Sequence, residues 1–179
     1  MKTQNKYIII FEGVDNTGKT TIAKKLASVL NIQYFKNLIG QQSFIQDYFY
    51  TFTQYTAPMM MALLKQVKFY DGGIILDRFT PSEHVYATVF DRKYDNKLIR
   101  KIDTELSEIY AVIIYCYRTD FDTWSDTLIS KKHTAYLMNE YDNYLAWSKM
   151  FSLKLDTTDQ NLDDQITKIL SFLASRYQY

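Results

Sequence analysis

Two spacings of apolar residues alternate along the chain. Tyr7 to Phe11 is a short apolar run rich in β-branched residues. Gly72 to Asp77 ("GGIILD") and Ala111 to Tyr117 ("AVIIYCY") repeat the pattern. Unbroken runs of this length suit strands buried on both faces, as in a parallel sheet. Ile32 to Phe35 and Phe151 to Leu155 are shorter strand candidates. Between these runs the spacing becomes helical. From Gly18 to Leu30 the residues Ile22, Leu26, Val29 and Leu30 fall on one face. Residues 41–70 also read as helical, with a break near Pro58, and further helices are expected over 82–90, 95–109, 134–149 and 161–176. Strand and helix in strict alternation predict an α/β fold. It is a three-layer α/β/α sandwich around a five-stranded parallel sheet, in one domain spanning 1–179. The polar segment from about 118 to 134 interrupts the alternation.

Composition narrows the class without naming a reaction. Hydrophobic residues make up 47% and charged residues 23%, with a net charge of +1. Such a balance points to no nucleic-acid or membrane partner and leaves small molecules as the expected ligands. The single cysteine, Cys116, excludes an internal disulfide and any multi-cysteine metal site. The apolar run in "MKTQNKYIII" is too short for a secretory signal, and no stretch approaches the roughly 20 residues of a membrane span. A cytoplasmic location is therefore expected.

Chemistry concentrates at the carboxyl ends of the predicted strands, where ligands of open α/β sheets bind. "GVDNTGKT", Gly13 to Thr20, follows the first strand and opens the first helix. It fits G-x-x-x-x-G-K-[ST], the P-loop pattern, which makes the fold P-loop NTPase-type. Glycines let the backbone wrap a phosphate with several N–H groups inward. The helix N-terminus adds a favourable field. Lys19 reaches the β- and γ-phosphates of ATP, and Thr20 offers a hydroxyl to Mg²⁺. Gly13, Val14, Asp15, Asn16, Thr17, Gly18, Lys19, Thr20 and Thr21 form the expected donor-binding set. Asp77, ending the third strand, is the expected second oxygen donor on the Mg²⁺ side.

"FEGVDNTGKTT" resembles the P-loop of the thymidylate kinase family, F-E-G-x-D-x-x-G-K-[ST]-T. The family's second signature is Asp-Arg-aromatic with a Ser and a Tyr further on. It is matched by Asp77, Arg78, Phe79, Ser82 and Tyr86 in "DRFTPSEHVY". The resemblance implies a nucleoside monophosphate kinase that passes the γ-phosphoryl of ATP to a deoxynucleotide, dTMP first. It implies that Asp15 meets the sugar 3′-hydroxyl, that Arg78 holds the 5′-phosphate, and that Tyr86 leaves little room for a 2′-hydroxyl. Lys36, after the second strand, stands where the family usually has an arginine. Glu83 lies where relatives place a small polar residue near the base, so it could accept from thymine N3–H or from guanine. Phe52, Gln54, Tyr55 and Phe69 are candidates for stacking on or reading the base. The resemblance implies that the polar segment of about 118–134 is a mobile lid over the phosphates, and since Asn16 leaves no arginine in the loop, it assigns the missing cation to that lid. There Arg118, Lys131, Lys132 and His133 are available, with Arg118 the catalytic candidate. Relatives are often dimers, and the aromatic-rich middle helices could supply such a face.

Three other readings share these motifs. A deoxynucleoside kinase has the same donor site but a neutral 5′-hydroxyl acceptor, which benefits from a general base. A regulatory or motor P-loop ATPase would need a partner surface. A nucleotide-binding protein without turnover would suit an arginine-poor lid. Lys36 favours an acceptor that brings its own phosphate.

Overall fold

A computed structural model describes residues 7–36, 52–67, 72–120, 131–159 and 161–177. Its five strands are β1 (Ile8–Glu12), β2 (Gln33–Lys36), β3 (Ile74–Asp77), β4 (Val112–Tyr117) and β5 (Phe151–Asp156). The helices are α1 (Lys19–Leu30), α2 (Ala57–Val67), α3 (Thr80–Val89), α4 (Asn96–Glu108), α5 (Lys131–Trp147) and α6 (Leu162–Arg176). A π-helical turn, Phe52–Thr56, leads into α2.

The strands form one parallel sheet in the order β2-β3-β1-β4-β5. Strand β1, which carries the P-loop, is therefore central. The chain adds strands first to one side of β1 (β2 and β3) and then to the other (β4 and β5), so β1 stands at the switch in strand order, the place where such sheets bind ligands. Alternate side chains serve alternate faces. Ile8, Ile10, Leu76, Ile113 and Tyr115 pack toward α2, α3, α4 and α5. Ile9, Phe11, Ile75, Val112, Ile114 and Cys116 pack toward α1 and α6. Both faces of the central strands are thus covered, which is why their sequences show no polar alternation. The three-layer sandwich and its five-stranded parallel sheet match the expected fold class.

The boundaries differ in instructive places. Pro58 does not break a helix; it stands in the first turn of α2, where its missing N–H costs little. The irregularity lies just before it, in the π-helical turn. Gly72 and Gly73 lead into β3 as the expected glycine turn, and the strand itself is Ile74–Asp77. Helix α3 begins at Thr80, with Pro81 in its first turn. Helix α5 begins at Lys131, so the last residues of the expected lid, 131–134, are helical. Residues 121–130 lie outside the described residues, as do 41–51 and Phe69. Among the described residues no helix is long and apolar enough to cross a membrane.

Candidate functional site

The P-loop runs from the end of β1 into α1. Gly13 has φ 136°, and a Cβ there would lie 2.1 Å from the carbonyl oxygen of Cys116 on β4. Only glycine fits so close to the sheet. Gly18, at φ 74°, precedes α1 and gives it no side-chain cap. That leaves the first-turn N–H groups of α1 suited to an anion. Val14 is buried, and its carbonyl accepts from Thr17 Oγ1 (2.9 Å) and from Lys19 Nζ. Lys19 Nζ also donates to Thr17 Oγ1 at 3.2 Å. Burial, and then the nearby Arg78 charge, bring the Lys19 ammonium down to about 7. Asn16 (φ 60°) and Thr21 are exposed on the loop and on the first turn of α1.

Thr20 Oγ1 donates to Asp77 Oδ2 at 2.6 Å. The two residues expected on the metal side, at the start of α1 and the end of β3, are thus bonded to each other. Tyr34 on β2 donates to the same oxygen at 2.8 Å. One hydroxyl and one carboxylate are hard oxygen donors, the set Mg²⁺ takes when phosphates and waters complete its shell. Among the described residues no group of three or more His, Cys, Asp or Glu could hold a metal without such help.

The second motif closes on the first. Arg78 follows β3 with a left-handed backbone, φ 72°, and its N–H donates to Phe11 O at 2.9 Å. Its Nη2 pairs with Asp15 Oδ1, and its Nη1 donates to Ser82 Oγ at 3.1 Å. The guanidinium lies over the Tyr86 ring, 5.2 Å from the centroid. Tyr86 Oη donates to Asp15 Oδ2 at 3.3 Å. Asp15, Arg78 and Tyr86 therefore form one unit. Burial works against the Asp15 carboxylate, but the Arg78 and Lys19 charges prevail and hold it below its ordinary range. Burial pushes the Tyr86 phenol up to about 12, so it stays a hydroxyl.

Behind this unit stands Glu12, a fully buried carboxyl with no role assigned from the sequence. It accepts from Phe79 N (2.8 Å), from Ser82 Oγ and from Tyr141 Oη (3.2 Å). Burial raises its pKa, and these bonds with the Arg78 charge oppose the rise. Phe79 itself is core. Tyr141, on α5, is the other residue that sequence reasoning passed over; only helical spacing with Leu137 and Tyr144 hints at its burial.

The remaining candidates have different surroundings. Glu83 is buried, and neither of its oxygens has a hydrogen-bond partner among the described residues. Burial, and then the neighbouring Glu12 charge, push it well above the carboxylate range, so it stands as a neutral acid. Lys36 is exposed at the end of β2, in register with Asp77. Arg118, just past β4, is held by Asp120 through Nε (2.8 Å) and Nη2 (2.5 Å). His133 is exposed and packs against Phe90, with ring centroids 5.2 Å apart. Gln54 donates to Asp95 at 2.8 Å, and Tyr55 is 72% exposed.

No family profile and no curated sequence matches the chain. Its likeness is in three dimensions. YorR protein from Bacillus subtilis, solved with phosphorylated GDP, superposes with a TM-score of 0.69 at 19% identity. That match covers 96% of this chain and 99% of the other. Thymidylate kinase from Ehrlichia chaffeensis gives a TM-score of 0.64 at 15% identity, over 94% and 98%. Deoxyadenosine kinase from M. mycoides gives 0.58 at 17%, over 93% and 98%. The chain shares its fold with these three proteins. Each match spans nearly the whole of both chains.

Proposed function

We propose that the chain is an ATP-dependent nucleoside monophosphate kinase acting on a deoxynucleotide, with dTMP the first-choice acceptor. One observation carries the reading: Arg78, Asp15 and Tyr86 form a single hydrogen-bonded unit against the phosphate-binding loop. Binding ATP requires neither the carboxylate nor the arginine. A second substrate that carries both a sugar hydroxyl and a phosphate uses each. Asp15 accepts from the hydroxyl, the Arg78 fork holds the phosphate, and the Tyr86 ring walls the sugar.

In the reaction an oxygen of the acceptor phosphate attacks the γ-phosphorus of ATP in line. The bond from that phosphorus to the bridging oxygen breaks, and ADP leaves. The attacking oxygen is already anionic, so no strong base is required and catalysis is positioning plus charge stabilisation. Lys19 and Arg78 supply fixed positive charge from the two motifs. Thr20 and Asp77 would hold Mg²⁺, which neutralises the donor's phosphates when bound. Arg118 is the proposed further cation, within a segment of about 118–134 that closes over the phosphates and excludes water. Lys36, exposed at the end of β2, suits an anionic acceptor. Glu83, as a neutral acid, offers one donor and one acceptor. The N3–H and O4 edge of thymine is complementary to that pair, as is the N1–H and O6 edge of guanine.

The deoxynucleoside kinase reading has the M. mycoides enzyme as a fold neighbour. Both readings predict ATP turnover and differ in the acceptor. Release of ADP is measured with each deoxynucleoside monophosphate and each deoxynucleoside in turn. Stimulation by a monophosphate, abolished in Lys19→Ala with the fold intact, is the expected result. Stimulation by nucleosides alone, or near-normal transfer by Lys19→Ala, refutes it.

A further inference from the structure

We infer that Tyr141 is a positioning residue for Arg78, setting the direction of the guanidinium that holds the acceptor phosphate. The inference rests on the proposed role of Arg78. Tyr141 belongs to α5 and to neither sequence motif, yet its hydroxyl stands where the two motifs meet. It lies 3.2 Å from Glu12 Oε2, 2.9 Å from Ser82 Oγ and 3.4 Å from Gly13 O, and Arg78 Nη1 donates to it at 3.4 Å. A phenol has one proton to give and two lone pairs to receive. The surroundings use both capacities. Glu12 and Gly13 O can only accept from it, and Arg78 can only donate to it.

The consequence is an arginine held from two sides. Asp15 takes Nη2, while Ser82 and Tyr141 take Nη1. A guanidinium recognises phosphate by a planar fork, so its value depends on the plane in which it is presented. Rotation about the last side-chain bonds would spoil that plane without moving the charge far. Arg78 also sits on a left-handed backbone, φ 72°, a conformation that its surroundings must maintain. The Tyr141 ring is fixed independently, stacked on Tyr115 with centroids 5.1 Å apart and planes at 29°. The hydroxyl is therefore a stationary reference, and its removal leaves the ring packing in place.

Tyr141→Phe tests the inference. Thermal unfolding is followed together with the KM for the acceptor monophosphate and the KM for ATP. The expected result is a roughly tenfold rise in the monophosphate KM, the scale of one hydrogen bond to a charged group. The KM for ATP stays within about twofold, because the one link to the donor loop, to Gly13 O at 3.4 Å, is long, and Gly13 is placed by its fit against Cys116. In an Arg78→Gln background the Tyr141→Phe change adds nothing, since the group it positions is gone. An unchanged monophosphate KM overturns the inference. So does an equal rise in both KM values, or an effect that persists without Arg78. Wild-type protein that transfers to no monophosphate refutes the proposed function itself. A wild type that does transfer, with a normal Tyr141→Phe, removes only this inference.

Discussion

Replacing Gly13 by alanine isolates what the P-loop requires of its first residue, and Gly72 provides the control. Both glycines sit at backbone angles that L-residues rarely adopt, φ 136° and φ 129°. Alanine at either position carries a strain of about 1–3 kcal/mol. At Gly72 nothing lies within 4 Å of the added Cβ, so strain is the whole cost. At Gly13 the Cβ would stand 2.1 Å from Cys116 O and 3.2 Å from Cys116 C. Cys116 cannot yield easily, because β4 is bonded to β1 on one side and β5 on the other. The loop must move by an ångström or more, at a further cost of about 3 kcal/mol or above. For a chain of this length each kcal/mol lowers Tm by about 2–4 °C. Gly72→Ala is therefore expected to lose about 2–12 °C, and Gly13→Ala about 6 °C or more beyond that. Differential scanning calorimetry gives both values. ATP titration gives the functional half: Gly72→Ala binds normally, and Gly13→Ala binds poorly. Equal melting points for the two variants, or wild-type ATP affinity in Gly13→Ala, would refute the close approach of loop to sheet.

Two further predictions follow from titrating groups. Lys19 has its pKa lowered to about 7, so at about pH 8 most of it is neutral, whereas a phosphate holds it charged. ATP binding should then take up close to one proton at about pH 8 and far less at about pH 6. Calorimetry in buffers of different ionisation enthalpy measures this, and uptake that survives in Lys19→Met removes the assignment. Glu83 has its folded pKa raised, so the folded state keeps a proton that the unfolded chain releases as pH rises past the ordinary glutamate value. Stability contributed by the neutral acid is full below that value and declines above it. Glu83→Gln should accordingly raise Tm at about pH 8 and change it little near pH 4.5. A gain that is the same at both pH values would count against a neutral Glu83.

The donor half of the site is legible in the sequence because it is local. A loop that wraps phosphate needs glycines at two fixed places and a lysine next to the second, all within Gly13 to Thr20. The reach from Thr20 to Asp77 is long in sequence, but an aspartate ending an apolar run predicts its place at the edge of a parallel sheet. Arg118 marks where such reasoning thins. A cation after β4 is visible, but the aspartate two residues on, which bonds it at both nitrogens, changes what that cation is free to do. The proposed acceptor half is legible at Asp15, Arg78 and Tyr86, which fall in the two motifs, but its support depends on residues that no spacing connects. Glu12 reads as one more letter of a motif, yet it works by gathering Phe79, Ser82 and Tyr141, which lie 67, 70 and 129 residues away. Burying a carboxyl there is offset by the three donors together, and the loss of any one weakens that compensation without leaving the group unpartnered. That compensation ties α5 to both motifs more tightly than its sequence suggests. Tyr141 is one tyrosine among sixteen, on a helix whose neighbouring positions are polar. Its chemistry comes from the crossing of three chain segments, and such a crossing leaves no pattern along any one of them.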